Sequence, residues 1–280
     1  MTPEHLRIAT YLAPGVRETY ELAALRIGEA LGVPAELVVG EDPEQLARGE
    51  EHVAFLCSPP ALDLADRTPA AVEILAAPVL TDERFEGRPV YASDVVVRAD
   101  DPARELKDLR GRAWAYNEES SFSGYGALLA AVADAGDGPE FFGSFVRAGF
   151  HSRALRLVAD AAVDAAAIDT QVLALELRDD PTLERSLRVV TQLGPVTIQP
   201  VVASTTLAPT ARRRIRDVLL QLNDRPEDRA VIRETLIDRF VAMTASDYDD
   251  IRELRRSIRR SGLEQIGGAS GCAPGSGRAS

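Results

Sequence analysis

Short apolar runs of strand character alternate along this chain with longer segments whose apolar positions recur every three to four residues. That alternation predicts an α/β protein. Leu6 to Tyr11 reads as a strand, and after the Pro14-Gly15 turn the spacing from Val16 to Leu31 reads as a helix ending near Gly32. Strands follow at Ala35 to Val39, Val53 to Leu56, Ile74 to Leu80, Val90 to Val97, Arg112 to Tyr116, Phe145 to Ala148, Ala165 to Ile168, Leu187 to Thr191 and Ile198 to Ala203. Helices are expected at Pro43 to Arg48, Gly124 to about Ala135, and Ser152 to Ala159. Another should follow the break at Cys57-Ser58-Pro59-Pro60, and everything from Pro209 to about Ser261 reads as helical. No internal repeat is visible.

Two extended stretches can carry the chain between lobes. One is Val90 to Asp101, ending in Asp-Asp-Pro, and the other is Gly194 to Ala203, punctuated by Pro195 and Pro200. Two crossings divide the chain into a discontinuous lobe one, residues 1–91 plus 201–266, and lobe two, residues 92–200. The Gly/Ser/Ala/Pro-rich residues 267–280 read as a disordered tail. A ligand in such a pair lies in the cleft, near helix N-termini at the carboxyl ends of strands.

Composition narrows the chemistry. The chain has 280 residues, 45% of them hydrophobic, enough to bury a core without staples. Its net charge of −12 argues against a nucleic-acid or anionic-membrane surface, but leaves open an anion held by a few donors in a pocket. Lys107 is the only lysine, which excludes a Walker A loop. Two cysteines, Cys57 and Cys272, and three scattered histidines make no metal cluster, so neither a metal nor a cofactor is expected. The first residues lack a secretory signal and no run is long enough to span a membrane, which gives a cytoplasmic protein as the expectation.

Three segments carry candidate chemistry. The first, Tyr116-Asn117-Glu118-Glu119-Ser120-Ser121-Phe122-Ser123-Gly124-Tyr125, is a hydroxyl-rich loop opening a helix. Unpaired N–H groups, the positive dipole end and the serine hydroxyls make an anion site there; alternatively the serines only cap the helix. The second places His151 at a helix start after Gly149-Phe150, either donating into the cleft or packed in the core. The third ends a short apolar strand in Asp169, whose carboxylate either faces the cleft or caps the helix starting at Thr170.

Taken together, these segments resemble the phosphate/phosphite/phosphonate-binding (PhnD-like) branch of the type II periplasmic binding proteins. The resemblance rests on Asp108-Leu109-Arg110-Gly111 leading to Ser121-Phe122-Ser123-Gly124-Tyr125, then on Gly149-Phe150-His151, Asp164 to Asp169, Tyr91, and Asp247-Tyr248-Asp249-Asp250-Ile251-Arg252. It covers about Leu6 to Ser261 and implies the two-lobe α/β fold with two crossover strands. It also implies a ligand site at Tyr11, Cys57, Ser58, Tyr91, Ser121, Phe122, Ser123, Gly124, His151 and Asp169. Three features depart from the pattern: Phe122 stands where the family has threonine, Cys57-Ser58-Pro59-Pro60 stands where it has Gly-Pro and an aromatic, and the family's secretion signal and lipobox cysteine are missing.

The expected function is cleft-type binding of a small anionic metabolite: a phosphonate, a phosphate ester or a carboxylate. A cytoplasmic enzyme on the same fold is the alternative, with His151, Asp169 and Tyr91 as acid–base candidates for an elimination or rearrangement. A ligand sensor using cleft closure is a third reading. A Phe122 ring facing the ligand would favour a flatter, more apolar carboxylate; a Phe122 ring in the core would leave the serines free to hold phosphate.

Overall fold

The structure, a computed structural model, describes residues 3–265. The predicted tail and Cys272 lie outside the described residues. The chain starts with β1 (Leu6–Thr10), α1 (Arg17–Leu31), β2 (Ala35–Val39), α2 (Glu44–Arg48), β3 (Val53–Phe55), α3 (Ser58–Ala65) and β4 (Val72–Leu80). Gly32 ends α1 in the left-handed conformation, with φ 68°, that a side chain would strain. α3 incorporates Pro59 and Pro60 in its first turn, where the missing N–H groups have no helical acceptor.

The next part contains β5 (Val90–Arg98), β6 (Ala113–Tyr116), α4 (Ala127–Asp134), β7 (Ser144–Arg147), α5 (His151–Ala159), β8 (Ala165–Asp169), α6 (Thr170–Asp179), α7 (Pro181–Ser186) and β9 (Leu187–Thr197). The chain then returns through β10 (Val201–Ser204), α8 (Pro209–Leu220), α9 (Pro226–Glu234), β11 (Ile237–Ala242) and α10 (Asp249–Ser261).

These strands make two sheets. The first has the order β11-β4-β10-β3-β1-β2, and the second β7-β6-β8-β5-β9. β1 pairs in parallel with β2 and β3, while the returning β10 inserts antiparallel between β3 and β4. In the second sheet β6 pairs in parallel with β7 and β8, and β5 runs antiparallel to β8 and β9. The fold is the two-lobe α/β arrangement of type II binding proteins. Every residue of β8 is buried, as a central strand requires of a continuous apolar run. No helix of the described residues is long and apolar enough to cross a membrane.

Three readings of the pattern need correction. The stretch from Pro209 is not helical throughout, because β11 adds an edge strand against β4. α9 ends at Thr235-Leu236, with Leu236 at φ 62°, a helix stop made without glycine and so invisible in the sequence. The second crossing is shorter than Gly194 to Ala203, since β9 stays paired with β5 up to Thr197 opposite Val90. Finally, α10 does not sit with the first lobe alone. Arg252 reaches Asp66, the residue after α3, and Arg255 reaches Asp63 of α3, while Ser257 donates to Asp134 of α4 at 3.1 Å.

Candidate functional site

The loops after β1, β3, β6 and β8 converge between the lobes around a cavity of about 80 Å³. Its polar end is made by the segment between β6 and α4. Ser121 caps this segment, its hydroxyl accepting from Gly124 N–H at 3.2 Å. Residues 122–126 form one wide turn, with Gly126 N–H reaching back five residues to the Ser121 carbonyl at 3.2 Å. Wide turns of this kind re-aim side chains and recur at functional sites. Here the turn brings the Ser123 hydroxyl to 3.2 Å from His151 Nε2. Gly124 has no room for a side chain: a Cβ would lie 2.0 Å from Asn117 Oδ1 and 3.0 Å from His151 Cε1.

His151 is the first residue of α5, and Gly149 at φ 87° turns the chain into it. Asn117 Nδ2 lies 3.3 Å from His151 Nε2. An amide NH₂ only donates, so Nε2 accepts and the ring proton sits on Nδ1. Burial pulls the His151 pKa down to about 4, so the ring is neutral at physiological pH. His151 Nδ1 and Asn117 Oδ1 are both buried with no hydrogen-bond partner. The Tyr91 hydroxyl and Ser58 Oγ are in the same condition, Tyr91 facing Ser123 outside hydrogen-bond geometry. Two of the six buried side-chain polar atoms without a partner among the described residues, His151 Nδ1 and Asn117 Oδ1, therefore belong to residues that line the cavity. Such atoms are costly to leave unpaired, and their clustering marks a place built to meet a polar ligand.

Asp169 satisfies both of its sequence readings at once. One oxygen caps α6, accepting from Gln171 and Val172 N–H at 2.9 and 3.4 Å. The other accepts from Gln199 Nε2 at 2.8 Å, and the residue lines the cavity. Burial outweighs these bonds and pushes the carboxyl up to about 6. Beyond it the cavity wall becomes apolar, with Tyr20 stacked on Phe55 at 4.1 Å and Phe240 nearby. Glu118 adds a second carboxylate, and no lysine or arginine lines the cavity.

Of the residues named from sequence, the cavity gathers Tyr11, Cys57, Ser121, Ser123, His151 and Asp169. Tyr11 contributes its ring, since its hydroxyl donates to Glu51 Oε2 at 2.6 Å. The Cys57 thiol accepts from Phe122 N–H at 3.3 Å, and burial pushes its pKa up to about 12. Gly124, Tyr91 and Ser58 stand behind the wall. Phe122 is a correction. Its ring is 1% exposed, packs against Gly126 and faces a separate cavity beside Pro59, Leu129 and Ile258. The wide turn puts Ser123 on the inner cavity and Phe122 away from it, with Ser121 bordering both cavities, so the ring is not placed to stack on a flat carboxylate in the inner cavity.

Asn117 and Gln199 were missed as site residues. Asn117 is the first residue after β6 and was a visible signal; Gln199, between Ile198 and Pro200 in the crossing, becomes informative only once that crossing passes Asp169.

A family model described as the periplasmic substrate-binding protein of the phosphonate ABC transporter matches residues 8–248. The chain belongs to this family. As a phosphonate-type substrate-binding protein, it carries a cleft that binds a small anionic molecule. The match gives no support to a cytoplasmic or biosynthetic enzyme. Solved structures agree on the fold. A binding-protein component of an ABC phosphonate transporter from Pseudomonas aeruginosa superposes with TM-score 0.80 at 18% identity, over 96% of this chain and 91% of that one. PhnD1 from Prochlorococcus marinus, in complex with methylphosphonate, superposes with TM-score 0.79 at 17% identity, over 92% and 100%. A Xanthomonas citri protein bound to ATP superposes with TM-score 0.68 at 20% identity, over 94% and 99%.

Proposed function

We propose that the cleft takes the anionic head of a phosphonate or phosphate monoester, and that it selects an anion able to carry a proton. The observation that carries this reading is the junction of Ser123, His151 and Asn117, where neutral donors and unpaired buried atoms surround the cavity. The start of the helix through Phe122–Asp134 adds the positive end of its dipole. The match to the phosphonate-binding family and the methylphosphonate bound by PhnD1 favour a phosphorus anion over a carboxylate.

Asp169 and Glu118 supply the selectivity. A fully ionised anion beside these carboxylates is repelled, whereas a P–O–H group donates to one of them. A sulfonate carries no such proton near neutral pH, so it must wait for Asp169 to take one. Isothermal titration calorimetry with methylphosphonate, inorganic phosphate, methanesulfonate and acetate tests the reading. Methylphosphonate and phosphate should bind, Ser123→Ala should weaken both by about tenfold, the loss of one hydrogen bond to a charged group. Methanesulfonate should weaken further as pH rises past 6. Acetate or methanesulfonate binding more tightly than both phosphorus anions at pH 7.5 refutes the proposal, as does no binding of either.

A further inference from the structure

The cavity that holds the head opens directly into a second, larger one. The inner space is about 80 Å³ and the outer about 570 Å³, and Tyr11, Leu12, Glu118, His151 and Val172 belong to the walls of both. The inner space suits a tetrahedral head and little else. A ligand consisting only of that head leaves the vestibule filled by solvent.

The vestibule has a feature that solvent does not explain. Phe150 is 67% exposed, and of the large apolar side chains exposed among the described residues it alone lines this space. Its backbone is extended, with φ −135° and ψ 152°, directly after the left-handed Gly149, and this turn holds the ring at the mouth and out of the core. Leu12, Pro14 and Val172 supply further apolar wall. Charge does not recruit a second anion here. Glu118, Glu176 and Asp179 offset Arg147 and Arg153, and Arg147 is already 3.3 Å from Glu119. Arg153 makes no ion pair among the described residues, only a 3.4 Å hydrogen bond to the Ala148 carbonyl, and a guanidinium plane of this kind stacks on rings.

We infer that the ligand is an organophosphorus anion bearing a planar, largely apolar substituent that seats in the vestibule against Phe150. This rests on the head-binding reading above. A ring placed there has Phe150 and the apolar wall of Leu12, Pro14 and Val172 to bury against, and aromatic contact adds to simple area burial.

Calorimetry with benzylphosphonate and methylphosphonate on the wild type and on Phe150→Ala decides it. Benzylphosphonate should bind at least about tenfold more tightly than methylphosphonate, the change expected from burying one ring face. Phe150→Ala should remove most of that advantage and leave methylphosphonate within about twofold, because Phe150 does not border the inner cavity. Circular dichroism confirms that the variant is folded. Equal affinities, or a weaker benzylphosphonate, overturn the inference while leaving the head site intact. A Phe150→Ala variant that weakens both ligands equally also overturns it, since the ring would then be shaping the head site. Absence of binding by both ligands overturns the head-binding reading and this inference with it.

Discussion

Replacing Asp169 with asparagine should stabilise the free protein, and only at the upper end of the pH range. Burial raises the carboxyl from 3.8 to about 6, so between those values the folded state holds a proton that the unfolded state has released. Folded-state stability therefore falls as pH climbs through this window and levels off above it. At about 1.4 kcal/mol per tenfold change, the ionised carboxylate makes the fold about 3 kcal/mol less stable above pH 6 than a neutral isostere would. Asparagine keeps the oxygen that caps α6 and is as good a cap as aspartate, and its NH₂, which cannot accept from Gln199 Nε2, is met once the Gln199 amide turns its oxygen toward it. His151 works in the opposite sense. Its pKa drops from 6.5 to about 4, so the unfolded state holds the extra proton and stability rises with pH through much the same window. The two slopes nearly cancel in the wild type, and Asp169→Asn should leave the histidine slope unopposed by that of Asp169. Chemical denaturation at half-unit intervals from pH 4 to 8 reads this directly. The variant and wild type should coincide near pH 4, diverge by up to about 3 kcal/mol by pH 6.5, and run parallel above. A variant less stable than wild type at pH 7.5, or a difference that does not change with pH, refutes the argument.

Other outcomes follow from the same geometry. Gly124→Ala drives a Cβ into Asn117 and His151, so it should lower stability by about 1–3 kcal/mol and abolish methylphosphonate binding in calorimetry. Phe122→Thr should cost about 3 kcal/mol in urea denaturation while leaving the order of phosphate and methylphosphonate affinities unchanged, because the ring is core and not ligand contact. In a Cys272→Ser background, Cys57 should react with a thiol-specific disulfide reagent far more slowly than the unfolded chain at pH 8, since its thiol stays protonated. Methylphosphonate affinity should fall only modestly between low and physiological salt, because no lysine or arginine lines the inner cavity; a steep fall would place the anion on a surface arginine cluster instead.

The parts of this fold that the sequence made legible are those where one residue type does one job. The β6–α4 segment declared itself by serines and glycine after an apolar run, and Ser121, Ser123 and Gly124 are used as cap, hydroxyl partner and close approach. His151 and Asp169 were legible because each follows a strand or turn that ends at the cleft. Direction was not legible. A six-residue stretch with a five-residue backbone step sends Phe122 away from the cavity that Ser123 lines, and ordinary helical spacing does not foretell it. Gln199 was hidden for another reason. Its meaning is a contact with Asp169 across thirty residues, and a polar residue between Ile198 and Pro200 has no local signature. Leu236 hid β11 by ending a helix in a conformation that glycine would have advertised.

α10 has a mechanical consequence. Two peptide crossings alone would leave the lobes free to tilt and also to twist about one another. A helix fastened by Arg252 to Asp66, by Arg255 to Asp63 of α3 and by Ser257 to α4 forms a third tie that resists both motions, and its first turn is anchored at the second crossing, where Asp250 accepts from Thr197 N–H at 2.7 Å. Two of its fastenings are ion pairs whose acidic partners are about half exposed, Asp66 at 47% and Asp63 at 59%. Dissolved ions weaken exposed pairs of this kind. The strap therefore slackens as ionic strength rises, while the neutral grip on the ligand barely changes.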